Sequence, residues 1–386
     1  MSDFPHPKAS HIPDFLEDRG PAEYFHGRTK ILDNFGKLLE RAVQTNRGTV
    51  FLIQGAPGAG KTALLHELEK LGLASGWETP KKKMYPSALW TPGELRKSFG
   101  QNIRAKFSGT GGIGIQVAQI GVKTEWTQAT TLNILSSGKK PLLLKLDEAQ
   151  TIGTTNAPPS NLAGVATNVL DAIHNGELGR PVILMAAGLG QTEEAFRLLG
   201  ISRFRGGCFV ELGALSKDSE RAVIHDWIIK EGGAKGDPVP WIDMIAQKTH
   251  GWPQHISAYG DAAAKQIEKD NGNMTSAGLE VVYKLGKDRC ESYYKQRAEK
   301  ISRKERGSLA WLVENISVEG GIDKEDIEAA LSQEYDSDKA RDLFKRLLER
   351  GILHSQDGVY TIPIPSMRTW LISNYARERA RIPHAP

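Results

Sequence analysis

A glycine-rich segment of the chain has the residue types and the spacing that bind phosphate. It reads Gly55-Ala56-Pro57-Gly58-Ala59-Gly60-Lys61-Thr62 and fits the pattern G-x-x-x-x-G-K-[ST]. Glycines let backbone N–H groups turn toward phosphate oxygens, and a helix that begins there directs its positive end at the same anion. We predict that Lys61 reaches the β- and γ-phosphates of a nucleotide and that the Thr62 hydroxyl ligates Mg²⁺.

A pair of carboxylates ends a later apolar run. Asp147 and Glu148 follow the stretch 142–146, which has the composition of a buried strand. An acid at that position can hold the coordination sphere of Mg²⁺, and we assign this to Asp147. The adjacent Glu148 is then the candidate general base that polarises the attacking water. The alternative is that the pair only caps the following loop.

Two further positions are candidates for sensing the nucleotide. The segment after the third apolar run contains Gln191 and Thr192, either of which could sense the γ-phosphate, although its glycines equally suit a helix start. Arg203, in preference to Arg205, is predicted to project into the nucleotide site of a neighbouring subunit, where an arginine stabilises the transferring charge. The alternative for both arginines is an ordinary surface position. Further along, Pro253 suits the first position of a helix, which could either close over the nucleotide as a lid or be an ordinary helix start.

Apolar runs that alternate with helical patterns are the elements that must position these residues. Strands are predicted at 48–54, 142–147, 182–187 and 208–212, with helices from Arg28 and over 62–68, 161–174 and 193–199. This alternation predicts an α/β fold, a doubly wound parallel sheet with helices on both faces. A glycine-rich stretch at 108–121 is predicted to be an inserted hairpin, within an insert at about 107–125, that is either capped by solvent or used by a partner.

The carboxyl-terminal half lacks strand signals until near its end. Helices over 219–230, 241–248 and 254–269 predict a lid, and a basic helical stretch over 284–306 follows. Helices over 307–315, 323–331 and 337–350 with a hairpin over 352–363 predict a winged helix. The predicted domains are therefore a lead-in over 1–25, a P-loop domain over 26–213, a lid and connector over 214–300, and a winged-helix domain with its tail over 301–386.

The third helix of this winged helix is a candidate for entering the major groove of duplex DNA. Acidic residues on the same helix weaken its positive electrostatic field, and winged helices also serve as protein-interaction modules. Contact with DNA and contact with a protein both stay open for this helix. The basic side chains that could neutralise phosphates are Lys339, Arg341, Lys345, Arg346 and Arg350.

Composition bounds the class of protein. The chain has 386 residues, 25% charged and 39% hydrophobic, which is typical of a globular protein with two or three domains. A net charge of +4 permits nucleic acid as a partner without arguing for it. Two cysteines support neither a disulfide framework nor a four-ligand zinc site, and no apolar run predicts export or a membrane span. A cytoplasmic location is the expectation.

Together these motifs resemble an AAA+-type P-loop ATPase near the border with the STAND group, similar to archaeal-type ATPases and origin-recognition initiators. The resemblance is carried by six features along the chain: Phe25-His-Gly27-Arg28, Gly55–Thr62, Leu142–Glu148, Ser202-Arg203, Gly251-Trp-Pro253 and the terminal winged helix. It implies ATP with Mg²⁺, Gly27 and Arg28 near the adenine or ribose, and Pro253 in the Gly-x-Pro position of STAND proteins. The chain lacks the second-sensor arginine of many relatives, which favours a nucleotide switch over a processive ring. It also lacks the usual asparagine of the third strand, which argues against fast turnover.

The predicted function is ATP hydrolysis, with the nucleotide state setting the lid, the assembly of a homo-oligomer and the engagement of DNA. One alternative is a signalling or defence switch that hydrolyses slowly and acts on a separate protein effector. A third reading is a nucleotide-binding scaffold that hardly hydrolyses.

Overall fold

The computed structural model describes most of the chain. The residues that it describes are 22–100, 116–153, 158–160, 162–201, 207–299, 301–316, 321–332, 335–356 and 358–379. Within these ranges they form two compact units, one made of residues 22–26 and 215–299, the other of residues from 27–214 and 301–379. No helix in these ranges is both long enough and apolar enough to span a bilayer.

A four-stranded parallel sheet organises the second of these units. Its spatial order is β2-β3-β1-β4. Every residue of the two central strands is buried, which is why their sequences are almost continuously apolar rather than alternating. The strands are β1 (Thr49–Gly55), β2 (Leu142–Leu146), β3 (Val182–Gly188) and β4 (Phe209–Leu212).

Helices flank this sheet, so the predicted α/β fold class is confirmed. Side chains alternate along each strand, and one set, including Leu52, Leu144 and Leu184, joins a large core with the apolar side of the helix at 163–175. Among the side chains of the other set, the Phe51 ring packs edge-on against the Phe35 ring, and the two ring centroids lie 5.0 Å apart. The helices of this part are α1 (Thr29–Thr45), α2 (Lys61–Ala74), α3 (Pro92–Ser98), α4 (Gln116–Ser136), α5 (Ala163–Asn175) and α6 (Thr192–Leu198), with short 3-10 helices at Pro86–Leu89 and Ala149–Gly153.

The predicted hairpin at 108–121 is wrong over its described part. Residues from Gln116 onward belong to α4, while 101–115 lie outside the described residues. The amino-acid composition explains the difference. The glycines are concentrated at 109–114, whereas Gln116, Ala118 and Gln119 favour a helix and the next glycine comes only at Gly121. The apparent alternation of small and apolar residues was therefore not a strand signal.

The helical unit is built from four helices joined by short turns. Close helix contacts need glycine there, since a Cβ at Gly286 would overlap the Tyr259 ring and one at Gly260 would overlap Trp227. A buried Asp261 pairs with Arg289 and with Lys265 of its own helix. The helices are α7 (Lys217–Asp226), which continues as a π-helical turn at Trp227–Glu231, α8 (Val239–Thr249), α9 (Pro253–Lys269) and α10 (Ser276–Ala298).

The described residues from 301 to 379 belong to the same compact unit as the sheet, and we call this part of it the C-terminal unit. It contains the predicted helices and hairpin, with two additions. A short strand at Ile322 completes a three-stranded antiparallel sheet of order β5-β7-β6, and a last helix, absent from the sequence prediction, packs along α11. The basic stretch 284–306 is not one helix, because α10 ends at Ala298 and a capping box of Ser302 with Glu305 starts the next helix. The elements are α11 (Arg303–Asn315), β5 (Ile322–Asp323), α12 (Lys324–Ser332), α13 (Ser337–Glu349), β6 (His354–Gln356), β7 (Val359–Thr361) and α14 (Met367–Arg379).

Candidate nucleotide-binding site

The glycine-rich segment forms the loop between the end of β1 and the start of α2. Gly58 and Gly60 have φ of 79° and 89°, a left-handed conformation that favours glycine. At Gly55 a Cβ would meet the Leu212 carbonyl of β4 at 2.8 Å, so the strand end also requires a residue without a side chain. The backbone is thus shaped as a phosphate loop by residues that the motif fixes.

Lys61 is folded across this loop. Its Nζ donates hydrogen bonds to the carbonyl oxygens of Gly55 and Ala56, each at 2.9 Å. The ammonium group is therefore held at the loop itself, where a phosphate oxygen can replace a carbonyl as its acceptor.

Thr62 lies in the first turn of α2, and Asp147 directly follows β2, yet their side chains are in contact. Thr62 Oγ1 donates to Asp147 Oδ2 at 2.8 Å, and Asp147 Oδ1 accepts from the backbone N–H of Glu148 at 3.0 Å. A hydroxyl and a carboxylate side by side are the hard oxygen donors that Mg²⁺ prefers, so the residues fit this cation. Thr62 and Asp147 are the side chains that would hold it.

Glu148 stands in a strained turn beside this pair. Its φ is 57°, left-handed for a non-glycine residue, which costs on the order of 1 kcal/mol and is typical of functional sites. The Glu148 carbonyl accepts from both the N–H and the Oγ1 of Thr151, at 3.1 and 2.8 Å, which holds the turn in place.

A residue that the sequence analysis missed, Gln150, connects Glu148 to the end of β3. Gln150 Nε2 donates to Glu148 Oε2 at 2.7 Å, while its Oε1 accepts from the Leu189 N–H at 3.1 Å. Gly188 leaves room for this, since a Cβ there would collide with Gln150 Oε1 and Thr192 Oγ1. The available signal was a polar residue two positions after the carboxylate pair.

The two sensor candidates differ in their surroundings. Thr192 is fully buried and its hydroxyl donates to the Leu189 carbonyl, so it serves the turn at the start of α6. Gln191 precedes α6 as its N-cap residue, and its Oε1 is buried without a hydrogen-bond partner among the described residues. Of the two, Gln191 is the side chain with an unused acceptor.

A second array, also missed, ties the C-terminal unit to the sheet. Gln54 Nε2 on β1 donates to Glu211 Oε2 on β4 at 3.1 Å, and Glu211 Oε1 lies 2.8 Å from His354 Nε2 on β6. Gly351, with φ 63°, packs against Pro57 so tightly that a Cβ there would overlap the proline ring. The phosphate loop and the C-terminal unit are therefore in direct contact.

The other predicted residues are distributed as follows. Gly27 and Arg28 precede α1 with φ of 82° and 57°; the Arg28 guanidinium donates to the Gly213 carbonyl, and burial lowers its pKa. Arg203 and Arg205 lie outside the described residues. Pro253 is the first residue of α9, in the helical unit.

The turn before Pro253 is supported from beneath by a buried carboxylate. Glu220 accepts from the Thr249 hydroxyl and from the N–H of Gly251, whose φ is 72°. These two hydrogen bonds hold the segment Gly251-Trp-Pro253, which the sequence analysis compared with the Gly-x-Pro motif.

No family model matches the chain, and no curated protein matches it. A Walker-type ATPase of Pyrococcus abyssi superposes with a TM-score of 0.55 at 12% identity, covering 93% of this chain and 99% of that one. The ORC2 protein of Aeropyrum pernix, in ADPNP–ADP complexes, gives 0.53 at 14% identity and covers 95% and 97%. The ADP form of the same protein gives 0.54 at 13%, over 95% and 97%. The phosphate loop, the carboxylate pair and these likenesses agree, and the chain has the fold of an ORC-like AAA+ P-loop ATPase.

Proposed function

We propose that the protein binds ATP with Mg²⁺ and hydrolyses it, and that the nucleotide state controls assembly and the engagement of DNA. The observation that carries the proposal is the hydrogen-bonded set Thr62, Asp147 and Glu148 at the end of the phosphate loop. Support also comes from the structural neighbours, one of which was solved in ADPNP–ADP complexes.

Each side chain has a chemical task in this proposal. Lys61 exchanges its two carbonyl acceptors for phosphate oxygens, and the loop N–H groups donate to the same anion. Thr62 and Asp147 hold Mg²⁺, which when bound offsets phosphate charge in the transition state. Glu148 accepts a proton from the attacking water, with its carboxylate oriented by Gln150.

The test of hydrolysis replaces Glu148 by Gln, which keeps the shape of the side chain and its partner but removes its basicity. We expect kcat to fall by about 10²–10⁴-fold with ATP affinity nearly unchanged, since a general base contributes that much. Steady-state ATP turnover and equilibrium nucleotide binding measure the two effects, with Lys61→Ala as the variant expected to lose binding.

A matched control is Glu280→Gln on the exposed surface of α10, which should turn over like the unaltered protein. Unchanged turnover in Glu148→Gln would contradict the proposed base and favour the scaffold reading.

A second candidate function, a nucleotide switch that acts on a protein partner, is favoured by one observation. The C-terminal unit contacts the phosphate loop through Gly351 and is bonded to β4 through His354. A nucleotide bound in the phosphate loop can therefore shift the conformation that the C-terminal unit offers to a protein partner. Slow hydrolysis that does not respond to DNA, together with oligomerisation triggered by a protein ligand, would support this function over the first.

A further inference from the structure

A cluster of basic side chains lies at the edge of the sheet domain, outside the nucleotide site. Its members are Lys81, Lys82, Lys83, Arg96 and Lys97, which we call the edge patch, and all five are exposed. The first three stand on the segment that runs beside β2, and the last two stand on the final turn of α3.

The backbone holds these two groups of residues next to each other. The N–H of Lys82 donates to the Ser98 carbonyl at 2.9 Å, which joins the segment to the end of α3. Met84 continues the segment as a parallel bridge to Leu146 of β2, and Met84 and Leu95 are buried beneath the patch. The charged ends are therefore carried on anchored backbone rather than on a loose loop.

The charges of the edge patch are unpaired within the described part of the chain, where no carboxylate forms an ion pair with any of the five. The two nearby acids in sequence are engaged otherwise, since Glu94 accepts from Ser87 and Glu78 pairs with the buried Arg180. Tyr85 is 58% exposed and lies 5.4 Å, ring centroid to Nζ, from Lys83. A single-sign cluster of this kind attracts a polyanion.

The helix expected from the sequence to contact DNA has the opposite character. Four basic side chains of α13 are each paired with a carboxylate, and one acidic partner comes from α11. These pairs are Lys339–Asp336 at 2.6 Å, Arg341–Asp338 at 3.5 Å, Lys345–Glu349 at 3.9 Å and Arg346–Glu305. Pairing dilutes the field that α13 presents, so its basic residues are weak candidates for phosphate binding.

We propose that the edge patch is the principal surface on which this protein binds the phosphate backbone of duplex DNA. Lysine ammonium groups act as point charges toward phosphates, and four of the five members are lysines. Binding of this type does not read sequence and releases condensed counterions, so it weakens steeply with salt. The inference deepens the proposed DNA engagement and rests on it, but it is independent of ATP hydrolysis.

The test measures binding of the full-length protein to a fluorescently labelled duplex by anisotropy, at several salt concentrations between about 50 and 200 mM. The neutralised variant is Lys81→Ala/Lys82→Ala/Lys83→Ala. The matched control is Lys339→Ala/Arg341→Ala/Lys345→Ala on α13, which removes the same number of charges. A charge-keeping variant, Lys81→Arg/Lys82→Arg/Lys83→Arg, checks that charge rather than side-chain shape is responsible.

We expect the edge variant to lose about tenfold or more in affinity at low salt. Each lost phosphate contact should lower the magnitude of the slope of log K against log salt by about 0.9. The α13 variant and the Arg variant should stay within about twofold of the unaltered protein, because the charges of α13 are already offset. Thermal melting checks that every variant is folded.

Three results would overturn the inference. Loss of affinity in the α13 variant but not in the edge variant would show that DNA binds to the winged helix instead of the edge patch. Equal, patch-dependent binding of polyglutamate would make the surface one for acidic proteins. Absence of DNA binding by the unaltered protein at low salt would contradict both this inference and the proposed engagement of DNA. ATP turnover measured on the same samples shows separately whether the hydrolysis proposal stands.

Discussion

At the scale of single residues, the most informative side chain is Gln150. It bonds to the candidate base Glu148 on one side and to the Leu189 N–H at the end of β3 on the other. The third strand lacks a polar residue that would link it to the nucleotide site in this way. Gln150 supplies this link instead, because it lies in the turn after β2 and its side chain extends to the end of β3.

Replacing Gln150 by Ala should therefore lower kcat for ATP by about ten- to a hundredfold, the equivalent of one hydrogen bond to a charged group. ATP affinity should change by less than threefold, because Gln150 has no place in the phosphate loop. Gln150→Ala added to Glu148→Gln should cost little more, since the two act as a unit. Gln128→Ala on α4, which removes a half-buried amide that accepts a hydrogen bond from Asn168, is the control. Equal losses in kcat and affinity would contradict a positioning role.

His255 gives a second residue-scale prediction, on acid stability. It is 1% exposed in the helical unit, hydrogen-bonded to Tyr294 at 2.8 Å, and burial lowers its pKa to about 4. The folded state then binds fewer protons than the unfolded state below pH 6.5, so stability is lost as the pH falls from about 6.5 toward 4.

Between pH 7 and pH 5 this group alone should lower the free energy of unfolding by about 2 kcal/mol. Denaturant unfolding of the full-length protein at both pH values measures the change. His255→Gln should be less sensitive to this drop in pH, although less stable at pH 7, and the matched control is a replacement of the exposed His225, His225→Gln. Equal acid sensitivity of both variants would contradict the assignment.

At the scale of elements, the parallel sheet with its flanking helices could be predicted because its signal in the sequence is local. The phosphate loop, the carboxylate pair and the strands around them are short contiguous patterns with buried apolar neighbours. Gln54, Glu211 and His354 form one array, yet Glu211 and His354 are 143 positions apart, and nothing local marks them as partners. The hairpin predicted at 108–121 is wrong from Gln116 onward, because helix formers follow the glycines there.

The array also supports a prediction about the C-terminal unit. His354→Ala removes the bond from β6 to Glu211, which costs about 1–3 kcal/mol for a hydrogen bond to a charged group. We expect faster hydrogen exchange in β6, β7 and the residue range 351–353, and in the phosphate loop that they contact. His225→Ala in the helical unit is the control, and unchanged exchange in the loop would show that the contact does not stabilise it.

At the scale of the whole molecule, the proposed assembly depends on Arg203. We expect Arg203→Ala to reduce ATP turnover by about 10³-fold, as loss of an arginine finger does. Part of the turnover should return when this variant is mixed with Lys61→Ala subunits, because a site made of the intact loop of an Arg203→Ala subunit and the intact arginine of a Lys61→Ala neighbour is complete. Arg205→Ala, which should behave like the unaltered protein, is the control. Failure to recover in the mixture would contradict a contribution from the neighbouring subunit.

The packing of Gly351 on Pro57 has a thermodynamic consequence. If filling the phosphate loop changes how firmly the C-terminal unit binds any partner, then that partner must change nucleotide affinity by the same factor. An agent that acts only on the far side of the C-terminal unit would thus be detectable as a shift in ATP affinity, with no contact to the nucleotide. The reciprocal measurement, partner affinity with and without ATP, would have to give the same free energy.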